Sequence, residues 1–313
     1  MVLIPLVVIV GPTASGKTRL AVDVALKYNG EVVSADSMQI YRGMNIGTAK
    51  PTVQEMRGVP HHMIDIADPT QSFSVADYVA QAKTVIEDIH ARGRLPVLAG
   101  GTGLYISSLV NNIDFGKTQR DDNLRAQLRE KASSEGGQAL LDILSTFDPL
   151  SAARLHPNNT GRIIRAIEVY RVTGRTMTEL QKRSRELPAA YNCCKLGLFY
   201  DDRSLLYDKI NARVDSMLLS GLLLEAEKLL KMPDTAKSTS MQAIGYKELA
   251  EYLAGASGLV ETVELIKRGT RRYAKRQMTW FRRDEEICRI DAGGEYENIC
   301  KQAYKIIDKW SAL

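Results

Sequence analysis

Apolar positions along the chain fall into two rhythms, and their order already sketches an architecture. Residues 5–10 (PLVVIV) form an unbroken, mostly β-branched run, the pattern of a parallel strand covered on both faces. A turn over 11–16 follows, and from Lys17 to about Tyr28 apolar residues such as Leu20 and Val24 recur at helical spacing. The stretch Glu31–Ala35 (EVVSA) predicts a second strand ending at Asp36. Phe73–Arg92 predicts a helix, with Ser74 as its N-cap and Asp77 three residues on. Leu95–Ala99 (LPVLA) predicts a third strand that runs into the turn Gly100-Gly101-Thr102-Gly103. Strand and helix alternating in this way argue for a doubly wound parallel sheet.

The pattern changes after about Phe115. From Asn123 to Arg185 only helical spacing is found, broken at Gly136-Gly137, Asp148-Pro149 and His156-Pro157. Cys194–Tyr200 (CKLGLFY) then reads as a strand, and Glu286–Ile290 as a further candidate. Long helical stretches are expected over Leu205–Lys231 and Glu261–Arg283. The expected organisation is an α/β core of residues 1–118 and 193–313, interrupted by a helical insertion domain over 119–192.

Composition narrows the class. Of 313 residues, 44% are hydrophobic and 25% charged, enough apolar material for a core with an ordinary soluble surface. No apolar run approaches the ~20 residues needed to span a bilayer, so no membrane association is expected. The opening MVLIPLVVIV lacks a basic leader and runs directly into a glycine turn, so it reads as a buried strand and the expected location is the cytoplasm. Four cysteines show no CxxC spacing, and the adjacent Cys193-Cys194 has no nearby histidine, which predicts reduced core thiols. The formal charge of +5 decides little until its distribution is considered.

The segment Gly11-Pro12-Thr13-Ala14-Ser15-Gly16-Lys17-Thr18 fits the pattern G-x-x-x-x-G-K-[ST] between a buried strand and a helix, which is the context that gives this motif meaning. Its glycines let backbone N–H groups turn toward phosphate oxygens, and the helix N-terminus adds partial positive charge. Lys17 supplies a point charge and Thr18 a hydroxyl for Mg²⁺. These features predict a P-loop NTPase-like parallel sheet core. Ligands of such sheets bind beyond the carboxyl ends of the strands, where Asp36 and Thr102 are also expected. Asp36 reads as a general base, a metal ligand or a turn aspartate; Thr102 reads as a site or turn residue. Between Glu264 and Asp284 there is no acidic residue, while Arg268, Arg271, Arg272, Lys275 and Arg276 share one helix face. That stripe suits a nucleic-acid backbone, with Tyr273, Trp280 and Phe281 free to pack or stack. Arg162 and Arg165 form a second basic pair on the insertion. His61 and His62 are assigned no chemistry.

These motifs occur together with others in a recognisable order. GPTASGKT, GEVVSADSMQIYRGMNIGTAKP, VPHHMIDI, LAGGTGLYISSL, RIIRAIEVYRVTGR, INARVDSMLLSGLLLEA, QAIGYKE and RRYAKRQMTWFR resemble the bacterial tRNA dimethylallyltransferases, the IPP transferase family, over nearly the whole chain. The resemblance implies transfer of a dimethylallyl group from dimethylallyl diphosphate to the exocyclic amine of the adenosine 3′ of the anticodon in tRNA. It implies that residues 11–18 and Arg213 hold the diphosphate, that Asp36 accepts the amine proton, and that Thr102 contacts both adenine and phosphate. Lys17 and Arg213 join the catalytic set by the same likeness. Contacts with the tRNA anticodon stem-loop are implied for Asp36, Ser37, Met38, Gln39, Thr102, Arg125, Gly161, Arg162, Arg165, Gly245, Tyr246, Lys247, Lys275, Arg276, Gln277, Trp280 and Arg282. The chain departs from the family at Gly161, where Lys, Gln or Arg is usual, and at Asn159, where many members carry Asp. No protein partner is inferred.

The implied chemistry suits these residues. An adenine amine is a weak nucleophile, so it must be held in line with the allylic carbon and relieved of a proton. The departing diphosphate gains charge that Lys17, Arg213, loop amides and Mg²⁺ oppose. A small-molecule kinase has no use for the GGTGLY and DSMQ blocks with a basic stripe. An adenine-nucleotide isopentenyltransferase needs neither stripe nor insertion. An RNA-binding GTPase-like scaffold lacks support without an N-K-x-D motif.

Overall fold

The computed structural model of the protein describes residues 3–113, 121–186 and 188–312. They divide into two compact units, Met1–Val110 with Tyr191–Leu313, and Asn111–Ala190. The sequence boundary expected at 118/119 lies outside the described residues.

The first unit is built on six parallel strands: β1 (Ile4–Val10), β2 (Gly30–Ala35), β3 (His61–His62), β4 (Leu95–Gly100), β5 (Tyr191–Phe199) and β6 (Cys288–Asp291). Their order across the sheet is β3-β2-β4-β1-β5-β6. The apolar runs that predicted β1 and β2 are buried because helices cover both faces of a parallel sheet; β2 is buried at every position. Register aligns Val10 with both Gly100 and Gly197, and Ala35 with Gly100. The loops leaving β1, β2 and β4 therefore emerge side by side at one end of the sheet.

Helix boundaries follow local chemistry. The Val75–Ala91 helix opens with a capping box in which Ser74 and Asp77 bond each other's backbone N–H groups. The stretch expected to be helical over Leu205–Lys231 is two helices, Arg203–Leu219 and Leu222–Leu230. Gly221 separates them at φ 98°, a left-handed conformation that an interior helical residue does not adopt. The break redirects the second helix into an apolar cluster with Ile40, Tyr41, Met44, Tyr246, Leu249 and Ile266. His61 and His62 form a short strand beside β2, with Val32 opposite His61.

The second unit is helical. Its helices include Asp122–Glu135, Gly137–Ser145, Thr160–Thr173 and Met177–Glu186. Leu128, Leu140, Leu144, Ile163, Ile164 and Ile167 fill its own core.

Candidate functional site

The turn after β1 has the backbone of an anion cradle. Gly11 (φ 151°), Ala14 (φ 63°) and Gly16 (φ 84°) take positive φ, and Gly16 immediately precedes the Lys17–Lys27 helix. At Gly11 a side chain is also sterically blocked, since its Cβ would lie 2.5 Å from the Leu198 carbonyl oxygen. Three side chains brace the loop. Ser15 Oγ donates to the Pro12 carbonyl at 2.8 Å, and Tyr200 OH to the Ala14 carbonyl at 3.1 Å. Gln277 Oε1 accepts from the Thr13 N–H at 2.9 Å. Lys17 Nζ donates to the Pro12 carbonyl at 2.5 Å, and Thr18 is exposed beside it.

Asp36 leaves the end of β2 and its Oδ1 accepts from the Met38 N–H at 2.9 Å, a turn that keeps the carboxylate at the strand end. Thr102, after β4, is tied to the same segment: its Oγ1 accepts from the Ser37 N–H at 3.0 Å, and its own N–H donates to the Ala35 carbonyl at 3.1 Å. The structure thus brings the Asp36 and Thr102 segments into direct contact beside the turn after β1. Tyr273 interacts with both Thr102 and Gln277. The Trp280 indole covers the start of the Gly103–Val110 helix, where a Cβ on Gly103 would stand 2.4 Å from Cδ1.

The electrostatics join Lys17, Asp36 and Arg213. Burial, reinforced by the Arg213 guanidinium, pulls the Lys17 ammonium down to about 7 against the opposing pull of Asp36. Lys17 as a residue keeps some exposure, so it is its ammonium that sits among protein atoms. Burial also lowers Arg213, again against Asp36. Two cations and one carboxylate thus interact beside the turn, a charge balance suited to an anion.

A second set of bonds fixes the approach to Asp36. Gln39 Oε1 accepts from Ser34 Oγ at 3.0 Å, and its Nε2 donates to the Thr48 and Ala49 carbonyls, each at 3.2 Å. The Glu225 carboxylate accepts from the N–H groups of Asn45, Ile46 and Gly47 and from Tyr246 OH at 2.6 Å. Tyr246 is fully buried and pressed against Gly47, so its side chain is an internal strut; Lys247 beside it is exposed. Glu225 was not among the expected residues, since a carboxylate inside one long expected helix gives no sign of partners 180 residues away. Tyr273 carried a weak signal, being spaced four residues from Gln277.

The basic helix is Leu259–Phe281. Arg268, Arg272, Lys275, Arg276 and Arg282 are exposed. Arg271 instead donates to Asn211 Oδ1 at 2.6 Å, and Lys267 pairs with Asp215 at 2.8 Å. Gln277 lies on the opposite, buried face. Arg125, Gly161, Arg162 and Arg165 belong to the helical unit. There Gly161 and Arg162 are exposed, whereas Arg125 and Arg165 both bond Glu168, at 2.7 Å each. Among the described residues no group of three or more His, Cys, Asp or Glu forms a cation cage, and no helix is long and apolar enough to cross a membrane.

The chain is similar to known proteins over most of its length. The family model described as IPP transferase matches residues 39–284. The tRNA dimethylallyltransferase of Caldanaerobacter subterraneus subsp. tengcongensis is 53% identical over 281 residues, 89% of each chain. That of Thermoanaerobacter sp. (strain X514) is 48% identical over 307 residues, covering 97% of this chain and 98% of the relative. The crystal structure of the full-length tRNA isopentenylpyrophosphate transferase from Bacillus halodurans superposes with a TM-score of 0.74 at 46% identity, over 98% of this chain and 97% of that one. A eukaryotic dimethylallyltransferase acting on tRNA reaches a TM-score of 0.79 at 31% identity, over 92% of this chain and 74% of that one.

Proposed function

The chain belongs to the IPP transferase family, and from that premise we propose how its site works. The protein is a tRNA dimethylallyltransferase: it moves a dimethylallyl group from dimethylallyl diphosphate to tRNA. The acceptor we assign is the exocyclic amine of the adenosine next to the anticodon. The convergence of the P-loop, Asp36 and Thr102 at the ends of three neighbouring parallel strands carries the assignment.

In the reaction the C–O bond between the allylic carbon and the diphosphate breaks and an N–C bond forms. The amine proton passes to the Asp36 carboxylate, and diphosphate leaves with the bonding electron pair. Loop N–H groups, Lys17 and Arg213 oppose the growing negative charge. Thr18, exposed at the helix start, would hold a Mg²⁺ ion through its hydroxyl, since this ion needs few protein donors; bound there, it would screen the diphosphate charge. The exposed cations of the Leu259–Phe281 helix are suited to tRNA phosphates.

Incubating the protein with tRNA and dimethylallyl diphosphate, then analysing nucleosides by mass spectrometry, tests the whole assignment. A prenylated adenosine is expected, with ATP neither required nor consumed. ATP hydrolysis that depends on tRNA, with no prenylated nucleoside, would point to a phosphotransferase instead.

Two further expectations separate the subsites. With Lys17 at about 7 in the free protein, an arriving diphosphate must bring a proton with it above that pH. Affinity for dimethylallyl diphosphate should therefore fall as pH rises from 7 to 9, by up to about tenfold per unit. Calorimetry in two buffers should register proton uptake, and Lys17→Arg, charged throughout, should flatten the profile. Equal slopes in both proteins would remove Lys17 from the diphosphate site. On the RNA side, Lys275→Ala with Arg276→Ala should weaken tRNA binding and reduce the log–log salt slope by roughly 0.7–0.9 for each phosphate no longer neutralised. Diphosphate affinity should stay unchanged. An unaltered salt slope would assign RNA docking to other residues.

A further inference from the structure

The Leu259–Phe281 helix has two faces with different occupations. Lys275 and Arg276 point outward, while Gln277 is only 5% exposed and projects between two loops. Its Oε1 accepts from the Thr13 N–H at 2.9 Å and its Nε2 donates to the Gly101 carbonyl at 2.9 Å. The amide orientation is forced, since a backbone N–H can only donate and a carbonyl only accept. Gly101 fits only because it has no side chain: a Cβ there would lie 2.1 Å from Gln277 Nε2. One buried amide therefore sets the spacing between the phosphate-binding turn and the turn that carries Thr102.

We propose that Gln277 is a positioning residue, which fixes the diphosphate-binding loop against the Thr102 turn rather than contacting tRNA. The inference rests on the transferase reading given above. Thr13 lies in the loop that would hold the leaving group, and Thr102 stands beside Asp36 on the acceptor side. Distance between donor and acceptor depends on how those two turns sit, and a misplacement of ~1 Å at such a site costs about 10²-fold in rate. Without the amide, the Thr13 N–H and the Gly101 carbonyl lose their shared partner and the turns lose their common stop.

Two substitutions attack the bridge from its two ends. Gln277→Met keeps the length and removes the bonds to Thr13 and Gly101; Gly101→Ala pushes the same amide aside. Each is expected to weaken binding of Mg²⁺-pyrophosphate about tenfold and to slow single-turnover transfer by about 10²-fold. Affinity for tRNA is expected to stay within about twofold. Because both variants disrupt one bridge, the double variant should be no worse than the more severe single one. Three results would each overturn the inference: pyrophosphate affinity and rate at wild-type levels in either folded variant, a loss of tRNA affinity with pyrophosphate binding intact, or additive losses in the double variant. Failure of both single variants to fold would overturn it too, by making the bridge a stability element. If the wild-type protein bound pyrophosphate but transferred nothing to tRNA, the transferase reading would fall, and the pyrophosphate affinities alone would still decide the role of Gln277.

Discussion

Asp36→Asn is expected to slow dimethylallyl transfer by about 10²–10⁴-fold, the usual contribution of a positioned proton acceptor. The amide oxygen of Asn can still accept from the Met38 N–H, the bond that shapes this turn at 2.9 Å, so the loop should keep its conformation. The change then removes the base and the negative charge without moving the backbone. Two side effects share the direction of the charge change. Asp36 raises the pKa of both Lys17 and Arg213, so its loss should leave Lys17 less readily protonated and diphosphate binding more pH-sensitive. Single-turnover rates with bound tRNA and saturating donor isolate the chemical step. A rate within a few fold of wild type would make Asp36 a turn residue with no part in proton transfer.

Glu168→Ala is expected to destabilise the helical unit by about 3 kcal/mol. Glu168 is fully covered and takes hydrogen bonds from Arg125 at 2.7 and 2.8 Å, Arg165 at 2.7 Å and the Asp121 N–H at 3.0 Å. Breaking a buried pair by removing one partner typically costs about 3–5 kcal/mol. The lower end applies because Arg125 and Arg165 keep 22% and 37% of their side-chain exposure and can be partly rehydrated. Thermal unfolding of the full chain should show a transition lowered by roughly 10 °C. Burial pulls the Glu168 carboxyl upward, but hydrogen bonds from Arg125 and Arg165 outweigh it and hold it at about 2, against an ordinary 4.5. A depressed carboxyl contributes stability that is fully present above about pH 4.5 and is lost as pH falls toward 2. The wild-type unit should therefore lose stability across that window, and Glu168→Ala should lose less over the same range. An unchanged transition temperature and acid profile would show the cluster to be energetically neutral.

The same pair of arginines bears on RNA contact. Arg125 and Arg165, which the family resemblance assigns to tRNA, are held by Glu168, so any phosphate contact they make must be shared with that carboxylate. Arg162, exposed one turn earlier on the Thr160–Thr173 helix, has no such carboxylate partner among the described residues.

What the sequence by itself determined was whatever depends on neighbours a few residues away. The glycine turn after β1 was legible because its glycine spacing follows an unbroken apolar run, and both properties are local. Asp36 and Thr102 could be placed at strand ends for the same reason. The Ser74–Asp77 capping box closes within four residues, and the structure contains it as expected. The stretch Leu205–Lys231 reads as one helix in the sequence, with Gly221 inside it. Packing breaks it there, because the Leu222–Leu230 helix buries Leu222, Ala226 and Leu229 only by turning at that glycine. Tertiary structure alone decided the partners of polar side chains that lie far apart in the chain. Gln277 meets Thr13 across 264 residues, Glu225 meets Asn45 across 180, and Arg125 meets Glu168 across 43. The RRYAKRQ segment carries most of the basic stripe and ends in Gln277. The fold divides it, because a helix turns 100° per residue and only one face can look toward the sheet, which leaves Lys275 and Arg276 in solvent and presses Gln277 between the two turns of the site. Local spacing states which residues share a face; only the packed chain determines what each face touches.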